Sequence, residues 1–117
     1  MNYLKNYSLK YKFSLKIMIP AIKIKKYDNL WKISNPKIVQ EKANKYYNNI
    51  IVYKSDVPDK KYFIIHNNKK IYFGSSNYED YTYHKNDRRL FNFRNRNNYW
   101  KNEPKYSPAH LSYYLLW

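Results

Sequence analysis

Asp80, His84 and Asp87 fall at i, i+4 and i+7, so a helix that began early enough would set them on one face with Arg88 and Arg89 beside them. Those residue types fit phosphodiester hydrolysis, with histidine as base, aspartate as metal ligand and arginine on the phosphate. In the competing reading His84 caps or packs, while Asp80 and Asp87 pair with the arginines. That reading is preferred, because two carboxylates and a histidine at helical spacing are common and no second metal-binding element accompanies them. His66 and His110 lack clustered Cys, His or acidic neighbours, which suits packing or hydrogen bonding better than ligation. Gly74 is the one glycine, so there is no phosphate-cradling loop for ATP or a dinucleotide. The absence of cysteine excludes disulfides, zinc–cysteine sites and thiol chemistry. The expectation is a protein that is not an enzyme and carries no cofactor or metal.

The stronger chemical signal is cationic. The formal net charge is +15, which favours polyanions or acidic protein surfaces as partners. Asn, Lys, Ile and Tyr make up more than half the chain, and all four have A/T-rich codons, so the lysines are discounted. The arginines are not, because the same bias opposes most arginine codons. All four lie together: Arg88, Arg89, Arg94 and Arg96. In a helix Leu90 and Phe93 would face inward, and Arg88, Arg89, Asn92 and Arg96 would spread over the outer surface. Guanidinium groups pair with phosphates and carboxylates and stack on aromatic rings. This surface, with Lys85 and Trp100, is the candidate partner- or phosphate-binding site: a docking helix on an acidic subunit, a phosphate-contacting helix, or a solvated helix paired with Glu79, Asp80 and Asp87. Leu115, Leu116 and Trp117 form an apolar anchor, seated either in the domain's own core or in a neighbour's pocket.

These residues need a scaffold, and 117 residues suffice for one domain that buries roughly two-thirds of its unfolded surface. Residues 7–19 alternate between apolar and polar or basic positions, the pattern of a long strand, either within the sheet or as an arm added to a neighbour's sheet. Ala21 to Lys25 resumes the alternation, with Ile22 and Ile24 inward. Ser34-Asn35-Pro36 starts a helix running to about Tyr47, with Val39, Ala43, Tyr46 and Tyr47 on its buried side. Ile50 to Lys54 reads as a short strand. Lys61 to His66 and Lys70 to Phe73 form a hairpin across Asn67-Asn68, and Gly74 ends its second strand. A helix follows from about Asn86 to Asn97, and Ser107-Pro108 opens a last one carrying Leu111, Tyr114 and Leu115 inward. The expected fold is α+β: a small antiparallel sheet with two or three short helices, as one domain over residues 21–117 behind an extended arm over residues 1–20. No apolar run approaches the ~20 residues of a membrane span. The N-terminal stretch lacks the apolar core of a signal peptide.

The ordered set Lys61-Tyr62, Tyr72-Phe73-Gly74, Tyr78-Glu79-Asp80-Tyr81-Thr82, His84-Lys85-Asn86-Asp87-Arg88-Arg89, Phe93-Arg94, Arg96-Asn97, Trp100, Tyr106-Ser107-Pro108-Ala109 and Leu111-Ser112-Tyr113-Tyr114-Leu115-Leu116-Trp117 resembles a family of short basic proteins of large (nucleocytoplasmic) DNA viruses, a domain of unknown function. The resemblance extends back to about Ala21 and does not cover residues 1–18. The family tends to have an acid where this chain has Asn86. The resemblance implies a small protein used structurally, within the virion and in the host cytoplasm during assembly, and it brings no catalytic residues. Together with the charge, it leads to the expectation of a viral structural protein, a minor capsid or internal virion component in many copies per particle. Such a protein would cement other capsid proteins through a basic, Tyr-rich surface. The alternative is a sequence-nonspecific nucleic-acid-binding protein on viral DNA, with a nuclease a distant third.

Overall fold

The computed structural model describes residues 18–117. The strand expected over residues 7–19 lies outside them except for Met18 and Ile19. Met18 is buried, Lys54 N donates to Ile19 O (2.8 Å), and Pro20 forms an antiparallel bridge to Tyr53. The last residues assigned to the arm therefore pack against the domain. Ala21–Lys23 is a 3₁₀ turn and not an extended continuation. Three residues per turn set Ala21 and Ile24 on the buried side and leave Ile22 65% exposed, which corrects the expected inward Ile22.

Helix α1 (Pro36–Tyr46) starts where Asn35 Oδ1 accepts from Ile38 N (3.2 Å) and Pro36 occupies the first turn, where its missing N–H costs nothing. Val39 and Ala43 are buried, but Tyr46 is exposed and Tyr47 takes the inner position just past the helix end. Buried Gln40 ties α1 to the sheet: its Nε2 donates to Ile50 O (2.9 Å) and its Oε1 accepts from Val52 N (2.8 Å).

The sheet is antiparallel in the order β1 (Tyr53–Lys54), β2 (Lys60–His66), β3 (Lys69–Ser75). Only the end of the strand expected over residues 50–54 pairs. The hairpin register His66↔Lys69 places Asn67 and Asn68 in the turn at φ 52° and 63°, the left-handed pair a two-residue connection requires. Tyr62, Ile64 and Phe73 face the core with Val52, Val39 and Leu111. On the opposite face Phe63 lies between Tyr53 (5.2 Å between ring centres) and Tyr72 (5.5 Å). Asp56 accepts from both Tyr72 Oη (2.5 Å) and Lys70 Nζ (2.7 Å) along that side.

Three more helices follow: α2 (Tyr81–His84), α3 (Asp87–Arg96) and α4 (Pro108–Leu115). Ser107 Oγ caps α4 by accepting from His110 N (3.3 Å). Leu111, Tyr113, Leu115 and Leu116 are buried, while Tyr114, expected inward, is half-buried against Tyr46 and His110. The fold is α+β. No described helix is long and apolar enough to cross a membrane.

Gly74 does not end β3, which runs on to Ser75. It sits at φ 81°, and a Cβ built there would lie 2.8 Å from Leu116 Cδ1 and 3.2 Å from Lys61 Cδ. Glycine is thus required both by the backbone and by the close approach of the C-terminal segment. Gly74→Ala is expected to destabilise the domain by about 1–3 kcal/mol, read as a lower midpoint in urea at unchanged slope. An unchanged midpoint would show that Leu116 is not seated there.

Candidate functional site

The helical face proposed for Asp80, His84 and Asp87 is not formed. Lys85 takes a left-handed conformation (φ 52°) that ends α2, and Asn86 starts α3 as its cap, accepting from Arg89 N (3.0 Å). The three side chains go to three different tasks. Asp87 accepts from Tyr81 Oη (2.7 Å). His84 Nδ1 accepts from Asn86 N (2.9 Å), which places its proton on Nε2, and that atom is buried without a partner among the described residues. Asp80 caps α2 and is buried. Among the described residues no group of three or more His, Cys, Asp or Glu side chains is placed to hold a metal ion.

Asp80 is 0% exposed and Lys61 3%, and they pair at 3.0 Å. A carboxylate only accepts, so Thr82 Oγ1 donates to Asp80 Oδ1, which also accepts from Thr82 N (3.0 Å). With its proton committed, Thr82 Oγ1 accepts from Asn35 N (2.9 Å) and from Ser34 Oγ (3.2 Å). Ser34 in turn accepts from Tyr62 Oη (2.7 Å). Every donor in this chain points toward the one buried negative charge. Burial pulls the Lys61 ammonium below its usual 10.5, and Asp80 opposes part of that shift. Burial likewise raises the Tyr62 hydroxyl well above 10.0, so it stays protonated and donates.

The four arginines divide. Arg94 is exposed but engaged within the chain: its Nη2 donates to the Trp117 backbone oxygen (2.8 Å), and its guanidinium lies 5.6 Å from the Tyr113 ring centre. That bond commits one of its nitrogens within the chain. Arg89 pairs with Glu79 (2.8 Å). Arg88 and Arg96 are exposed and have no side-chain partner among the described residues, and the same holds for Lys85. Since Asp80 goes to Lys61 and Asp87 to Tyr81, just one of the three nearby acids pairs with an arginine. Leu115 and Leu116 lie in the domain's own core, and Trp117 stacks on Phe93 with ring centres 4.2 Å apart and planes within 5°. Leu115 and Leu116 thus anchor within the domain itself, and Trp117 is half-buried beside them. Trp100 packs edge-on against Phe93 at 5.6 Å and remains half-exposed.

Helix α3 has two usable faces. One presents Arg88 and Phe91 (64% exposed) to solvent, with Tyr99 (61%) just beyond the helix. The other, bearing Arg89, Asn92, Phe93 and Arg96, forms a wall of a cleft of about 780 Å³ whose opposite wall is Tyr72 to Ser75 of β3. The sequence pointed to the arginine cluster but not to this cleft. Trp100 and the single glycine were its visible markers.

The histidines set an acid limit on the fold. Burial draws His84 below its usual 6.5, and Arg89 adds to the shift. His110, hydrogen-bonded through Nδ1 to Tyr47 Oη (2.6 Å), is drawn down by burial first and Lys105 second. Both bind protons more readily when unfolded. Their contribution is complete above 6.5 and is lost as pH falls below it toward the lower folded values. The Tm is expected to drop between about pH 7.5 and about pH 5.5. His84→Gln with His110→Gln should flatten that slope. A flat wild-type profile, or a slope retained in the double variant, would contradict this assignment.

A family model described as a family of unknown function (DUF5754) matches residues 50–97, the stretch from the lead-in to β1 through the end of α3. No curated protein and no solved structure matches the chain. The matched span contains Lys61, Asp80 and all four arginines and stops short of Trp100 and Trp117.

Proposed function

We propose that this protein is a non-catalytic structural component of a viral particle, which holds acidic neighbouring subunits through the outward face of α3. The observation that carries the reading is the state of Arg88 and Phe91. An arginine without a partner among the described residues and a phenylalanine 64% exposed stand about one helical turn apart on the face of α3 that is turned away from the cleft. Neither contributes to the core. Arginine and aromatic side chains are the types that carry binding energy when an interface removes them from water. The particle setting rests on the resemblance to basic proteins of large DNA viruses. The neighbours fit that setting by charge, since a +15 chain repels its own kind and attracts acidic surfaces.

A second reading, coating of viral DNA through phosphate contacts, is favoured by the exposure of Arg96 beside the half-exposed Trp100. The two differ in where the protein resides. A subunit cement stays with shells emptied of their genome, and a DNA coat leaves with the genome.

Arg88→Ser with Phe91→Ser is expected to shift stability by no more than about 0.5 kcal/mol, because both side chains are exposed. The same variant should no longer be retained on emptied shells under conditions where the wild-type protein is. Retention equal to wild type would remove α3 as the docking face. Loss of the wild-type protein with the genome, with affinity falling by roughly one log–log unit per phosphate contacted as salt rises, would favour the DNA reading.

A further inference from the structure

The cleft between β3 and α3 has a composition that subunit docking does not use, and it points away from the Arg88–Phe91 face. Its apolar surface is aromatic: Tyr72 and Tyr78 on the strand side, and Phe93, Trp100 and Trp117 on the helix side. Its charges are four cations, Lys60, Lys61, Arg89 and Arg96, against one carboxylate side chain, Glu79. Two of the cations are already committed, Lys61 to buried Asp80 and Arg89 to Glu79. Lys60 and Arg96 are exposed on opposite walls and have no side-chain partner among the described residues. The cleft thus carries aromatic walls and two uncommitted cations at its margin, without a free acid to neutralise them.

From this pairing of features we infer that the cleft binds a nucleoside phosphate, as a free nucleotide or as a unit of a single strand. The base stacks on the exposed ring surface of Trp100 or Tyr78, and the phosphate is held by Arg96 and Lys60. Stacking is tolerant of base identity because every base has a π-face, and a guanidinium holds phosphate through paired N–H donors. About 780 Å³ is within the range of small-ligand sites. An uncharged aromatic ligand leaves the two cations unpaired, and an inorganic anion leaves the rings wet, so neither meets both halves of the site. An acidic peptide segment without an aromatic side chain likewise leaves the rings without a stacking partner. The inference does not rest on the docking role of Arg88 and Phe91.

Calorimetric titration of the full chain tests it with four probes: AMP, adenosine, pyrophosphate and the hexamer d(A)₆. AMP is expected to bind saturably with a Kd below about 1 mM, at least about tenfold tighter than adenosine or pyrophosphate. It should also quench tryptophan fluorescence, since Trp100 and Trp117 line the cleft. Arg96→Gln with Lys60→Gln, both exposed and so expected to fold normally, should weaken AMP by about tenfold. Trp100→Ala should weaken AMP and d(A)₆ alike. Arg88→Ser with Phe91→Ser should leave AMP binding unchanged, which separates a failure of this site from a failure of the docking face. Tighter binding of d(A)₆ than AMP assigns the ligand to a strand, and the reverse assigns it to the free nucleotide; both support the site. Pyrophosphate binding as tightly as AMP, or AMP binding that survives the Arg96 and Lys60 substitutions, overturns it.

Discussion

The buried Lys61–Asp80 pair is the constraint to which the rest of the structure conforms. Two opposite charges removed from water are tolerated only when each is paired and the remaining lone pairs are satisfied. Asp80 meets this with Lys61 on one oxygen and Thr82 on the other, and the demand then propagates outward. Thr82 must present its hydroxyl proton to the carboxylate, Ser34 must present its own to Thr82, and Tyr62 must do the same for Ser34. The residues involved come from β2, from the loop before α1 and from α2. One ion pair therefore fixes three segments distant in sequence, at Ser34–Asn35, Lys61–Tyr62 and Asp80–Thr82. Such a pair is weak as net stabilisation but costly to break from one side, so it specifies a geometry more than it strengthens it.

The consequence for function is positional. Asp80 caps α2, α2 ends at the left-handed Lys85, and the Asn86 cap then sets the direction of α3. From that start α3 lines the cleft opposite β3 with Arg89, Phe93 and Arg96, and Arg88 and Phe91 lie outside it. The C-terminal segment locks the other end. Trp117 stacks on Phe93, Arg94 holds the Trp117 backbone oxygen, and Leu116 occupies the space that Gly74 leaves beside β3. The cleft is bounded by these contacts. Its main walls are β3 and α3, and its uncommitted charges sit on exposed residues.

Local features of the chain were legible in the sequence where the physics is local. The caps at Asn35 and Ser107, the Asn67-Asn68 turn and the span of α3 each follow from a few neighbouring residues. The failures are long-range. Lys61 lies in a strand between Lys60 and Tyr62, where alternation alone gives a lysine to solvent. Only the arrival of Asp80, nineteen residues on, makes its burial tolerable. Arg94 reads like its neighbours until Trp117, twenty-three residues away, supplies an acceptor. The helix start at Asn86, which divides the Asp80–Asp87 face, was legible in the sequence, but the left-handed turn at Lys85 was not, because lysine carries no preference for that position. Asp80 before Tyr81-Thr82 does carry a cap signature, which could have been used to place a helix start there.

A double-mutant cycle on Lys61 and Asp80 tests this dependence most directly, with Lys61→Met, Asp80→Asn and the double variant compared by urea unfolding. Each single change strands one buried partner and should cost about 3–5 kcal/mol. The double variant should cost clearly less than the two together, with a coupling of roughly 2 kcal/mol or more. Single variants that are mild, or costs that add to within about 0.5 kcal/mol, would show that the pair is incidental and that the fold is held elsewhere.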